Sequence, residues 1–83
     1  MNFDEKVVII TGGGQGIGET YAKSFAAAGA SVVIAELNEE GGQRVADEIC
    51  QTGGKAAFIK TDVSSEENAA AAAKFAKDTF GGI

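Results

Sequence analysis

Histidine is absent from this 83-residue sequence. That excludes imidazole acid–base catalysis and His-ligated metal sites. Cysteine occurs once, as Cys50, so neither an intramolecular disulfide nor a cysteine-based metal site can form. Basic residues are few: seven Lys and Arg stand against twelve Asp and Glu, a net charge of −5. A nucleic-acid binder would present a basic stripe, so nucleic acid is not an expected partner. A small phosphate-bearing ligand remains open, because backbone N–H groups hold phosphate without any lysine. No apolar run approaches the roughly 18 residues of a membrane span. The segment Met1 to Lys6 lacks the basic region and apolar stretch of a secretory signal. The expectation is a soluble, cytoplasmic chain kept in a reducing compartment, with no membrane partner.

What is present is ordinary globular composition, 45% hydrophobic and 23% charged, which argues against disorder. The length allows one small domain with a thin core. Strand and helix patterns alternate three times. Val7-Val8-Ile9-Ile10-Thr11 reads as a buried strand. From Gly16 to Ala28, Ile17, Tyr21, Phe25 and Ala28 recur at helical spacing, which predicts that this face is buried, with Glu19 and Lys23 on other faces. Gly29 suits the left-handed residue after the helix. Ser31 to Glu36 is the second strand. Asn38 then caps a second helix, with Glu39 and Glu40 at its positive end and Val45, Ile49 and Cys50, or their neighbours, on its apolar side. Gly41 and Gly42 weaken its first turn, and Gly53-Gly54 stops it. Lys55 to Thr61 reads as a third strand. Ser64-x-x-Glu67 is a capping box for a third helix that carries the run Ala69 to Ala73 and then Phe75, Ala76, Thr79 and Phe80.

Three strand–helix units imply an α/β fold with a parallel sheet and right-handed crossovers. In the order 3-2-1, the first two helices share one face and the third crosses to the other. Strand one then keeps an open edge, an expectation that marks the chain as the front half of something longer.

The chemistry-bearing segment is Thr11-Gly12-Gly13-Gly14-Gln15-Gly16-Ile17-Gly18, which leaves the first strand and opens a helix. Gly12 permits the tight turn, Gly16 removes a Cβ where a pyrophosphate must approach, and Gly18 lets the helix pack close to the sheet. The helix N-terminus then holds the phosphates. Glycines often only make turns, but this cluster sits between a buried strand and a helix, as a dinucleotide site requires. It is not a P-loop, because no Gly-Lys-Ser/Thr follows. Glu36 closes the second strand 18 residues after Gly18, where a carboxylate accepts bonds from both ribose hydroxyls and repels a 2′-phosphate. Leu37, Gly14 and Gln15 offer no cation to a 2′-phosphate, so NAD is expected over NADP.

Thr-Gly-x-x-x-Gly-Ile-Gly is similar to the cofactor fingerprint of the short-chain dehydrogenase/reductase family, in its classical, NAD-preferring branch. Asp62-Val63 resembles that family's adenine-pocket pair, with the carboxylate on the adenine amino group and Val63 on the ring; a turn or capping role is the plainer reading of Asp62. The ending Phe80-Gly81-Gly82-Ile83 looks like the lead-in to a fourth strand. The resemblance implies the first half of a Rossmann-type three-layer domain, lacking the later strands. It implies NAD as cofactor and hydride transfer to or from a small alcohol or carbonyl substrate in the full-length enzyme. Homo-oligomers are common in such a family. The cofactor set is then Gly12, Gly14, Gln15, Gly16, Ile17, Gly18, Glu36, Leu37, Asp62 and Val63.

The family's Asn-Asn-Ala-Gly segment, catalytic serine and Tyr-x-x-x-Lys are not found in these residues, so no catalytic residue is assigned and no turnover is expected of them alone. The single tyrosine, Tyr21, is followed four residues on by Phe25 and reads as packing on the buried side of the first helix. Cys50 reads as a small helix-face residue, since no histidine activates it. Two other readings stay open. One is a free-standing, non-catalytic nucleotide-binding module or sensor that would dimerise through the open edge of strand one. The other is a methyltransferase-type site, which the Gly-Ile-Gly spacing and Asp62-Val63 disfavour.

Overall fold

The computed structural model describes residues 6–12, 16–62 and 66–81. The order is β1 (Val7–Thr11), α1 (Gly16–Ala27), β2 (Ser31–Glu36), α2 (Glu39–Gln51), β3 (Lys55–Lys60) and α3 (Glu66–Phe80). The three strands form one parallel sheet with β2 in the centre, the expected 3-2-1 order. Their ends are level: Thr11 pairs with Ala35, and Ala35 with Ile59.

Each helix stops where its glycine requires. Gly29 (φ +105°) follows α1, its N–H donating to Ala26 O while that of Ala30 reaches back to Phe25 O. Gly53 (φ +90°) ends α2 in the same way, with Gly53 N–H to Cys50 O and Gly54 N–H to Ile49 O. These paired bonds satisfy carbonyls the helix ends would otherwise leave bare. Asn38 caps α2 as expected, its Oδ1 accepting from the Gly41 N–H at 3.0 Å. The Ser64 capping box lies outside the described residues.

The core is built on β2. Val32, Val33, Ile34 and Ala35 are all buried, whereas Val7 to Ile10 of β1 are each only half-buried. On one sheet face, Val32 and Ile34 pack with Ala22 of α1 and with Val45, Ala46 and Ile49 of α2. Strand alternation turns Val33 and Ala35 to the other face, where α3 crosses β1 and β2. There α3 buries only Ala72 and Ala76, small residues that let a helix come close to a sheet.

Two expectations about helix faces are corrected. The buried side of α1 is Ala22 with half-buried Phe25 and Ala26, whereas Tyr21 and Ile17 are exposed (56% and 74%). A close helix–sheet contact selects the small alanine face, and the larger Ile17–Tyr21 stripe is turned off the three-stranded sheet. In α2 the buried partner of Val45 and Ile49 is Ala46, and Cys50 is exposed, its Sγ 3.4 Å from Ala56 O. Gly42, read as a weak point of α2, is buried. A Cβ there would overlap the Phe58 ring and lie 3.3 Å from Glu36 Cβ, so the glycine lets α2 sit directly on β2 and β3.

Candidate functional site

In an open parallel sheet, ligands bind beyond the carboxyl ends of the strands. The residues leaving β1 and β3 are both tied to the end of β2. Gly12 N–H donates to Ala35 O at 3.1 Å, and Thr61 N–H donates to Glu36 O at 3.0 Å. These bonds extend the sheet ladder past the formal strand ends and fix three connections side by side. Buried Thr61 is satisfied in turn by its own Oγ1, which donates to Ile59 O at 3.2 Å.

The result is a cleft of about 330 Å³ lined by Thr11, Gly12, Ala35, Glu36, Leu37, Thr61 and Asp62. Four residues expected from the sequence, Gly12, Glu36, Leu37 and Asp62, therefore meet at one place although they leave three different strands. Glu36 is half-buried at its base, and Leu37 is exposed beside it (59%). Gly16, Ile17 and Gly18 form the first turn of α1 and do not line this cleft. Gly14, Gln15 and Val63 lie outside the described residues.

Backbone conformation explains two of the glycines. Gly12 (φ +67°) and Gly16 (φ +54°) are in the left-handed region, which a side chain strains. Among the described residues a Cβ on either would meet no atom within 4 Å, so conformation and not protein packing calls for glycine there. Open space beside a left-handed glycine at a helix N-terminus suits an incoming phosphate. The residues present thus fit a dinucleotide: an acidic side chain at the end of β2, glycines at the turn and helix start, and a carboxylate at Asp62.

Sequence reasoning did not anticipate Thr11, Ala35 and Thr61 as cleft walls; their signal is position alone, each standing at or next to a strand end. It also did not find the charged cluster joining α1 to α2. Arg44 places Nη2 2.8 Å from Glu19 Oε1 and Nη1 2.8 Å from Glu48 Oε2. Lys23 Nζ lies 2.8 Å from Glu19 Oε2 and 2.7 Å from Glu48 Oε1. Hydrogen bonds from Arg44 and then Lys23 hold the Glu19 carboxyl down to about 2. Glu48 is lowered by the same two cations, Lys23 first, and Lys23 and Arg44 are raised in return, Glu19 first.

A larger cavity, about 630 Å³, opens at the other end of the sheet, where Ala26, Ala27, Ile49, Thr52, Gly53 and Gly54 surround it. Lys23 and Glu48 of the charged cluster also line it, but it collects none of the residues read as cofactor-binding and lies by the strand starts, the wrong end for this architecture. Among the described residues no group of three or more His, Cys, Asp or Glu could hold a metal, and no helix is long and apolar enough to cross a membrane.

The profile of the family described as short chain dehydrogenase matches residues 6–83. A cyclohexanol dehydrogenase of Acinetobacter sp. (strain SE19) is 46% identical over 81 residues, covering 98% of this chain and 32% of that protein. A solved 7α-hydroxysteroid dehydrogenase, complexed with NADH and 7-oxo glycochenodeoxycholic acid, superposes with a TM-score of 0.93 at 45% identity, over 96% of this chain and 31% of the other. A short chain dehydrogenase/reductase from Burkholderia phymatum in complex with NAD gives 0.92 at 34% identity, over 98% and 29%. The chain spans about a third of the length of the curated relatives it matches.

Proposed function

The chain belongs to the short-chain dehydrogenase family, and from that premise we propose that it is the part of an NAD-dependent oxidoreductase that binds the adenosine and pyrophosphate of the cofactor. The whole protein would transfer a hydride between nicotinamide and the carbon of a small alcohol or carbonyl compound. The nicotinamide, when bound, supplies that hydride chemistry. These residues bind and orient.

The observation that carries the reading is the cleft in which Gly12, Glu36, Leu37 and Asp62 converge from three strand ends. Glu36 accepts the ribose hydroxyls. Leu37 covers the adenosine side with an apolar surface and brings no cation for a 2′-phosphate. Asp62 would hold the adenine amino group. Gly12 turns the chain away from β1, and the first turn of α1, Gly16 to Gly18, offers its N–H groups and dipole to the pyrophosphate with Gly14 and Gln15 before it. The solved relatives in complex with NADH and with NAD support the same choice of cofactor.

Titration calorimetry with NAD, NADP and S-adenosylmethionine tests this. NAD binds, NADP binds more weakly, and Glu36→Gln weakens NAD by about tenfold, the loss of one charge-assisted contact. Equal affinity for NAD and NADP, or tighter binding of S-adenosylmethionine, would reject the assignment.

A further inference from the structure

We propose that the ion pair between Glu19 and Arg44 sets the spacing between the two halves of the cofactor site, making both positioning residues for a ligand that spans them. The inference rests on the NAD reading above. Glu19 immediately follows Gly18 in the first turn of α1, the turn offered to the pyrophosphate. Arg44 lies two residues after Gly42, where α2 packs so closely on β2 and β3 that a Cβ would overlap the Phe58 ring and lie 3.3 Å from Glu36 Cβ. A short physical route therefore runs from the pyrophosphate turn through Glu19, Arg44 and Gly42 to Glu36, the ribose residue.

The contact is built to hold a distance. Arg44 presents its fork to Glu19, with Nη2 at 2.8 Å from Oε1 and Nη1 at 3.5 Å from Oε2. A guanidinium fork fixes orientation as well as separation. Glu19 is the least exposed member of the cluster, 23% against 40–48% for the others. Lys23 and Glu48 close the ring, so each charge has two opposite partners.

The sign of the effect separates positioning from simple electrostatics. Glu19 is a negative charge in the first turn of the helix that would receive an anion. On charge alone, Glu19→Gln would tighten a pyrophosphate ligand. If the pair sets spacing, the same substitution weakens it.

The test is titration of the full-length protein with NAD and with adenosine, which occupies only the Glu36–Asp62 half. Wild type, Glu19→Gln, Arg44→Gln and, as a control, Lys74→Gln are compared at a temperature where circular dichroism shows all to be folded. Among the described residues Lys74 pairs only with Asp78 on the same face of α3, at 3.0 Å. Expected is an NAD Kd raised by about fivefold in Glu19→Gln and Arg44→Gln, the upper range for a half-exposed ion pair. Adenosine binding stays unchanged in both, and Lys74→Gln changes neither. Unchanged or tighter NAD binding in Glu19→Gln would overturn the proposal, as would equal weakening of NAD and adenosine. Should Glu19→Gln not fold, the Arg44→Gln split between NAD and adenosine decides alone. Failure of wild type to bind NAD would instead overturn the cofactor reading, and this inference with it.

Discussion

Glu36 stands between Ala35, sealed inside the sheet, and Leu37, 59% exposed at the cleft edge. Its carbonyl is committed to Thr61 N–H while its side chain is left to the cleft wall. One residue thus closes the ladder and presents a carboxylate to the cleft. On the proposed reading, discrimination against a 2′-phosphate would be carried by this side chain and its neighbour, and so would be alterable at two positions. Glu36→Ala with Leu37→Arg removes the repelling charge and adds a cation, and the ratio of NADP to NAD affinity rises by about tenfold or more. Competitive titration of the two nucleotides checks this, and an unchanged ratio would place the adenosine end elsewhere.

At the scale of elements, two opposing effects meet at Gly42. In an isolated helix, alanine in place of glycine gains about 1 kcal/mol. Here the added Cβ collides with the Phe58 ring, and overpacking costs about 1–3 kcal/mol. Gly42→Ala therefore lowers the urea midpoint despite better helix propensity; a raised midpoint would mean that α2 is free to lift from β3. The α1–α2 cluster adds a pH dependence. The Glu19 carboxyl is lowered from 4.5 to about 2 by Arg44 and Lys23, and Glu48 is lowered as well. A depressed carboxylate stabilises fully above its unfolded value and loses that contribution as pH falls. Urea midpoints thus decline as pH drops from about 4.5 toward 2, and Glu19→Gln makes that decline shallower. Equal slopes for the two proteins would show that the cluster contributes nothing.

Legibility followed the range of the interaction. Strand and helix limits were readable because local chemistry sets them: β-branched runs, Asn38 as a cap, Gly29 and Gly53 as stops. The cleft residues Gly12, Glu36, Leu37 and Asp62 were readable because parallel strands bring their ends level, so position in sequence converts directly into position in space. The face of α1 was not readable. Its periodicity fits Ile17–Tyr21–Phe25 as well as Ala22–Ala26, and only the closeness of the sheet chooses the small side. The Glu19–Arg44 contact, 25 residues apart, carries no local signal, and neither does the burial of Gly42.

For the whole molecule, the weight of the fold rests on a single central strand. β2 is buried along Val32 to Ala35, whereas β1 is only half-buried from Val7 to Ile10 and exposed at Thr11. A core of this size in an 83-residue chain is thin. Expressed alone, the chain is expected to be marginally stable, with a melting temperature that rises on adding NAD. At a hundredfold excess over Kd the gain is about 2.7 kcal/mol by mass action. Thermal melts with and without NAD check this, and identical melts at saturating NAD would contradict it.

The most direct test of the central claim is an NMR titration of the isotopically labelled protein with NAD, followed at backbone amides. Saturable shifts are expected at Gly12, Gly16 to Gly18, Glu36, Leu37 and Asp62, and none at Ala26, Ala27 or Thr52 to Gly54 around the larger cavity. Shifts confined to that cavity, or none at saturating NAD, would contradict it.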